Sequence, residues 1–120
     1  MNRRVIAAVP DMLFASKIRG TAEHLNVTVE FARTEDALFD AAKTEAPSLI
    51  LLDLHATRPD PFALAARLKG DEQLRAVPIV GFFSHVEKEL QRRAVEAGVD
   101  HVLPRSVFTK RLADILRGEV

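Results

Sequence analysis

Five short apolar runs, separated by segments long enough for one helix each, constrain the fold of this chain more than any other feature. Each run begins about 20 to 30 residues after the previous one, which leaves room for a helix and two loops. The third run and most of the fourth are continuously apolar, as in parallel strands covered on both faces. The five predicted strands are residues 5–9, 27–31, 49–52, 78–83 and 99–103.

The intervening segments have the signals of helices. Thr34 precedes two acidic residues and predicts an N-cap, Pro61 suits a first helical turn, and Gly98 suits a C-terminal cap. The last helix is predicted as one element that carries Leu112, Ile115 and Leu116. Strands that alternate with helices in this way predict an α/β fold, a (βα)5 doubly wound parallel sheet. We expect residues 1–120 to form one domain.

The composition excludes several classes of function. Seventeen basic residues balance 17 acidic ones, which argues against nucleic acid or membrane binding by bulk charge. The chain has no Cys, so disulfides, thiolate metal sites and cysteine nucleophiles are impossible. No segment approaches the roughly 18 apolar residues of a membrane span. We expect a cytoplasmic protein.

Polar residues that follow the predicted strands are the candidate site, because ligands bind beyond the carboxyl ends of parallel strands. Asp53 comes directly after four buried aliphatic residues. It serves either as a helix cap or partner of Arg105, or as a nucleophile or metal ligand. A pocket shared by Asp53, His55 and His85 would instead favour a small enzyme or ligand-binding domain.

Three stretches of the sequence resemble the response-regulator receiver domain, the CheY-like family of two-component signalling. They are APSLILLDL at 46–54, VPIVGF at 77–82 and EAGVD at 96–100. The first resembles the stretch around the family's phosphoacceptor aspartate, the second its fourth strand, and the third the segment before its fifth strand. The resemblance covers essentially the whole chain. It implies a flavodoxin-like sheet with strand order 2-1-3-4-5.

The resemblance also implies a site for phosphoryl transfer, and this sequence departs from it. The phosphoacceptor position is Asp53, but the acidic pair that would hold Mg²⁺ falls on Val9 and Pro10. The hydroxyl position falls on Phe83, which would fill the phosphoryl pocket, and the lysine position falls on Arg105. Mg²⁺ prefers oxygen ligands, so such a site would bind it poorly.

Two interpretations follow from this partial match. In the first, the chain is a degenerate or pseudo-receiver with no enzymatic activity, metal or cofactor, in which Arg105 pairs permanently with Asp53. It then acts as a protein-interaction module. In the second, Asp11 and Ser84, each one residue late, move into the site and restore a working receiver. A histidine kinase would then phosphorylate Asp53 in the presence of Mg²⁺.

The resemblance further implies an output surface on the fourth helix, fifth strand and fifth helix. Basic residues there would meet a histidine kinase or a downstream signalling protein, and the same face would allow a homodimer. No direct contact with nucleic acid or membrane is expected. The candidate surface residues are Lys88, Arg92, Arg93, Lys110 and Arg111.

Overall fold

The computed structural model describes residues 3–84 and 87–119, and within them strands and helices alternate along the chain. The strands are β1 (Arg4–Ala8), β2 (Thr28–Phe31), β3 (Leu49–Asp53), β4 (Ile79–Phe83) and β5 (His101–Pro104). The helices are α1 (Met12–His24), α2 (Glu35–Thr44), α3 (Pro61–Lys69), α4 (Lys88–Ala97), α5 (Arg105–Lys110) and α6 (Leu112–Leu116).

The five strands form one parallel sheet in the order β2-β1-β3-β4-β5, which confirms the predicted topology. Its register aligns the carboxyl ends of the three central strands. Ala8 pairs with Leu52, and Asp53 pairs with Phe82. The loops after β1, β3 and β4 therefore emerge side by side at one edge.

The sheet buries apolar side chains on both faces, as its continuously apolar strands predict. Along β3, Ile50 and Leu52 belong to the core cluster on the side of α2, α3 and α4. Leu49 and Leu51 belong to the cluster on the side of α1, α5 and α6. This alternation decides which side of the sheet each residue near the site faces.

Two helix ends follow the sequence signals. The Thr34 hydroxyl accepts a hydrogen bond from the Ala37 N–H at 3.0 Å, which confirms the predicted N-cap of α2. Gly98 ends α4 with φ +104°, a left-handed conformation that glycine adopts without strain. In the described ranges, no helix is long and apolar enough to cross a membrane.

The end of the chain differs from the prediction in two places. β5 begins at His101 rather than at residue 99, because the Val99 N–H still bonds to the Ala94 carbonyl at the end of α4. The predicted single last helix is two helices, α5 and α6, with a bend at Arg111. Phe108 and Leu112, four residues apart, pack into the same core cluster on either side of this interruption.

Candidate functional site

Asp53 is the last residue of β3 and lies at the carboxyl edge of the sheet, partly exposed. Its Oδ1 accepts a hydrogen bond from the backbone N–H of His55 at 2.9 Å. This side-chain bond two residues ahead stabilises the turn that follows the strand. The Asp53 side chain therefore has a structural role in stabilising this turn.

Asp11 holds the N-terminus of α1. Its Oδ1 accepts hydrogen bonds from the N–H groups of Leu13 at 3.0 Å and Phe14 at 3.1 Å. Its Oδ2 accepts one from Nη2 of Arg105 at 3.3 Å. The Phe14 N–H and then the Arg105 guanidinium lower the pKa of Asp11 below its ordinary value. Asp11 therefore fills the two structural roles, helix cap and arginine partner, that the sequence offered for Asp53.

Arg105 is held on the α1 side of the site. It is the first residue of α5, and its guanidinium carbon lies 4.0 Å from the centroid of the Phe14 ring. Together with the bond to Asp11, this contact fixes the side chain over the start of α1. The predicted ion pair between Arg105 and Asp53 is therefore wrong. The contacts with Asp11 and Phe14 direct the Arg105 side chain toward α1.

The acidic pair that the resemblance implies is replaced by residues without side-chain oxygens. Val9 is buried and belongs to the same core cluster as Phe14. Pro10 follows it at the surface. In the sheet, Val9 comes one position after Ala8, which pairs with Leu52. Val9 therefore lies level with Asp53, where a second carboxylate would be needed.

Phe83 is the last residue of β4 and Ser84 follows it, and the two lie in different environments. Phe83 is buried, and its ring belongs to the cluster of Leu54 and Leu90, on the α2, α3 and α4 side. By the alternation of side chains along β3, Asp53 lies on the opposite side of the sheet, with Leu49 and Leu51. The exclusion of a phosphoryl group by the Phe83 ring stays a prediction. Ser84 is exposed, and His85 lies outside the described residues.

The fold itself resembles solved receiver domains along its whole length. Chemotaxis response regulator CheY4 of Vibrio cholerae superposes with a TM-score of 0.85 at 15% identity, over 100% of both chains. A response regulator from Hahella chejuensis gives 0.86 at 17% identity, over 99% of this chain and 96% of that one. The chain has the response-regulator receiver fold.

A third receiver-fold match was solved in a phosphorylated state. The phosphorylated cyanobacterial phytochrome response regulator RcpA gives a TM-score of 0.80 at 18% identity, over 98% of this chain and 91% of that one. No protein-family model matches the sequence. No curated protein matches it either. The likeness is therefore one of fold.

The receiver fold implies a Mg²⁺ ion at this edge, and the side chains present do not fit one. Mg²⁺ takes near-octahedral coordination from carboxylate and water oxygens. Both Asp11 oxygens accept hydrogen bonds from other groups, while Val9 and Pro10 supply no side-chain oxygen. Asp53 is left as the one carboxylate at the implied positions.

Two basic residues of α4 in the predicted partner surface contact different neighbours. Arg92 forms ion pairs with Glu89 and with Glu96, the latter at 2.6 Å, on its own helix. Those carboxylates, Glu89 first, raise the pKa of Arg92. The Arg93 guanidinium carbon lies 4.1 Å from the centroid of the Phe62 ring, which places it against α3.

Two other residues of the predicted partner surface, Lys88 and Lys110, are more accessible to a partner. Lys88 begins α4 and Lys110 ends α5, and both are exposed. Arg111, at the bend before α6, donates a hydrogen bond to the Glu119 carbonyl at 3.3 Å. The role of these residues in partner binding stays a prediction.

Beside the site lies a groove that the sequence did not predict. A cavity of about 480 Å³ lies between the loops that follow β1, β2 and β3. Asp53 and His55 are not among its lining residues. Arg33 lies two residues after the end of β2, so inspecting the loop after this strand as well would have identified it. Its main polar lining residues are Ser16, Arg19, Arg33 and Arg58.

The cap and ion pair of Asp11 make a testable contribution to stability. Because its pKa is lowered in the folded state, the ionised carboxylate stabilises the protein above the unfolded pKa of about 3.9, and this contribution disappears as pH falls through the folded pKa. Asp11→Asn keeps a capping oxygen and loses the charge. We expect its urea midpoint to lie below that of the unsubstituted protein at pH 7, and the gap to narrow as the pH falls through the lowered pKa of Asp11 in the folded protein.

A second variant separates the cap from the charge. Asp11→Ala removes both, so we expect it to lower the urea midpoint at pH 7 more than Asp11→Asn does. Asp40→Asn, an exposed acid inside α2, is the matched control and is expected to change the midpoint least. Equal midpoints for the two Asp11 variants would contradict the capping role.

Proposed function

We propose that this chain is a receiver-fold signalling module that binds a protein partner without a phosphorylation switch at Asp53. The observation that carries the proposal is the engagement of Asp11. Its carboxylate caps α1 and pairs with Arg105, while Val9 and Pro10 occupy the positions of the acidic pair. The chain would then be a pseudo-receiver, a signalling domain and not an enzyme.

The charge distribution supports this proposal. A phosphoryl group on Asp53 would carry about two negative charges. These charges at the carboxyl edge of the sheet would need a basic side chain or a cation to offset them. Arg105 is the basic residue at the lysine position, and it already contacts Asp11 and the Phe14 ring. Its movement to Asp53 would break both contacts. The ground state of the site therefore resists phosphorylation.

The partner that the receiver fold favours is a protein of the same signalling systems. A histidine kinase or a downstream signalling protein would bind on the α4, β5 and α5 side, where Lys88 and Lys110 are exposed. Exposed charges of this kind mainly set specificity and encounter rate. A homodimer through this face is a form of the same proposal.

The test is a titration followed through backbone amide NMR signals, since the chain has no Trp to serve as a fluorophore. Mg²⁺ is added to millimolar concentration, and beryllofluoride is then added as a phosphoryl mimic. We expect no saturable shift at the backbone amides of residues 8, 9, 11, 53–55 and 84. Asp53→Asn is the matched control, and its spectrum should respond as that of the unsubstituted protein does.

The opposite outcome defines the alternative. Saturable shifts at these amides that Asp53→Asn abolishes would contradict the proposal. They would establish a phosphoacceptor receiver that uses Asp53, with Ser84 and Asp11 in displaced roles. Because Asp53 is partly exposed at the correct edge of the fold, the experiment is a fair test of both functions.

A further inference from the structure

The groove beside β1 and β2 gathers positive charge from three separate parts of the chain. Arg19 comes from α1, Arg33 from the loop after β2, and Arg58 from the loop after β3. The Ser16 hydroxyl lines the same cavity. We call this cavity the arginine groove. Its donors are of the type that binds anions, since a guanidinium offers two parallel N–H groups to a phosphate.

The guanidinium groups are not neutralised by ion pairs. Within the described part of the chain, none of the three arginines has a carboxylate within 4.0 Å. Arg19 instead lies over the Phe31 ring, 4.8 Å from its centroid. Asp60, two residues after Arg58, accepts hydrogen bonds from the first N–H groups of α3. The groove therefore retains its positive charge.

The other acids near these loops are also engaged elsewhere. Asp11 caps α1 and pairs with Arg105. Glu35 and Asp36, in the first turn of α2, both form ion pairs with Arg67, at 3.0 and 2.7 Å. These carboxylates therefore contact groups other than the three groove arginines.

One wall of the groove is apolar. Met12, which is 79% exposed, lines it together with Val9, Pro10 and the Phe31 ring. A concave surface with apolar walls and a few convergent polar groups is typical of small-molecule pockets. The groove has a volume of about 480 Å³, which lies within the usual range of pockets that bind small molecules.

We propose that the arginine groove binds a nucleotide. Its phosphate groups contact the guanidiniums of Arg33 and Arg58, and its base lies against the apolar wall at Met12. The stacking on Phe31 holds Arg19 in place as a third donor. This site is independent of Asp53 and of the proposed partner surface, so each proposal stands or fails alone.

The test is isothermal titration calorimetry in low-salt buffer without Mg²⁺, with ADP as the probe and adenosine as the comparison. We expect saturable ADP binding, and adenosine binding that is roughly tenfold weaker or more because it lacks phosphates. The double variant Arg33→Gln/Arg58→Gln removes two exposed side chains that make no ion pair among the described residues. It should lose roughly tenfold or more in ADP affinity while retaining the far-UV circular dichroism of the parent.

The matched control is Arg75→Gln. Arg75 is an exposed arginine in the loop before β4, at the amino end of that strand. Its replacement by glutamine also removes positive charge from the protein. It should leave ADP affinity unchanged. No saturable ADP binding, equal affinity for ADP and adenosine, an unchanged affinity in the double variant, or an equal loss in Arg75→Gln would each overturn the proposal.

Discussion

Replacing Phe82 by alanine is expected to lower the free energy of unfolding by about 3–5 kcal/mol. The ring is 1% exposed in the middle of the sheet. Its centroid lies 5.0 Å from that of Phe14 and 4.8 Å from that of Phe108. The three rings join β4 to α1 and α5, so the cavity left by the substitution would weaken both contacts at once.

Urea denaturation followed by far-UV circular dichroism measures this loss. The control is Leu13→Ala, which truncates an 87% exposed side chain on α1 and is expected to change stability by less than about 0.5 kcal/mol. Equal losses for the two variants would show that the ring cluster does not hold the helices to the sheet. Because Arg105 lies on the Phe14 ring, Phe82→Ala should also broaden the amide signals near Arg105.

Gly81→Ala is expected to destabilise the protein by about 1–3 kcal/mol through overpacking. Gly81 lies within β4, where a Cβ atom would come within 2.8 Å of Leu54 Cδ2 and 2.9 Å of its Cγ. Leu54 is 2% exposed and has little room to move. A glycine inside a strand indicates a close approach of this kind.

The same substitution at Gly20 is a control of opposite sign. Gly20 lies inside α1, and nothing stands within 4 Å of an added Cβ. Alanine is the better helix former, so Gly20→Ala should stabilise the protein by about 0.5–1 kcal/mol. Thermal or urea denaturation of both variants tests the pair. A stabilised Gly81→Ala would mean that Leu54 relaxes without cost.

The fold could be predicted because its signals are local and repeated. Continuous apolar strands indicate burial on both faces, and caps such as Thr34 and Gly98 fix helix ends within a few residues. The prediction of a single last helix was wrong because the helix is interrupted at Arg111. Both flanking helices keep apolar residues on one face. A periodic pattern does not distinguish one bent helix from two.

The site was less predictable because its contacts join distant parts of the chain. Asp53 was placed correctly at the end of β3, but the partner of Arg105 depends on how α5 leaves the sheet relative to α1. The capping role of Asp11 was not predicted, because it depends on how the loop after β1 brings its carboxylate to the first N–H groups of α1. The groove was missed since Arg19, Arg33 and Arg58 come together only through three separate loops and helices.

The two outer strands of the sheet limit how a partner can attach. β2 and β5 are the edge strands, and exposed edges invite other chains to add a strand. β5 ends at Pro104, which has no N–H to donate, and Glu30 of β2 places a charge at the other edge, paired with Arg4 at 3.0 Å. A partner strand added at either edge would meet one of these features, so we expect recognition by this protein to rest mainly on the side chains of its helices and loops.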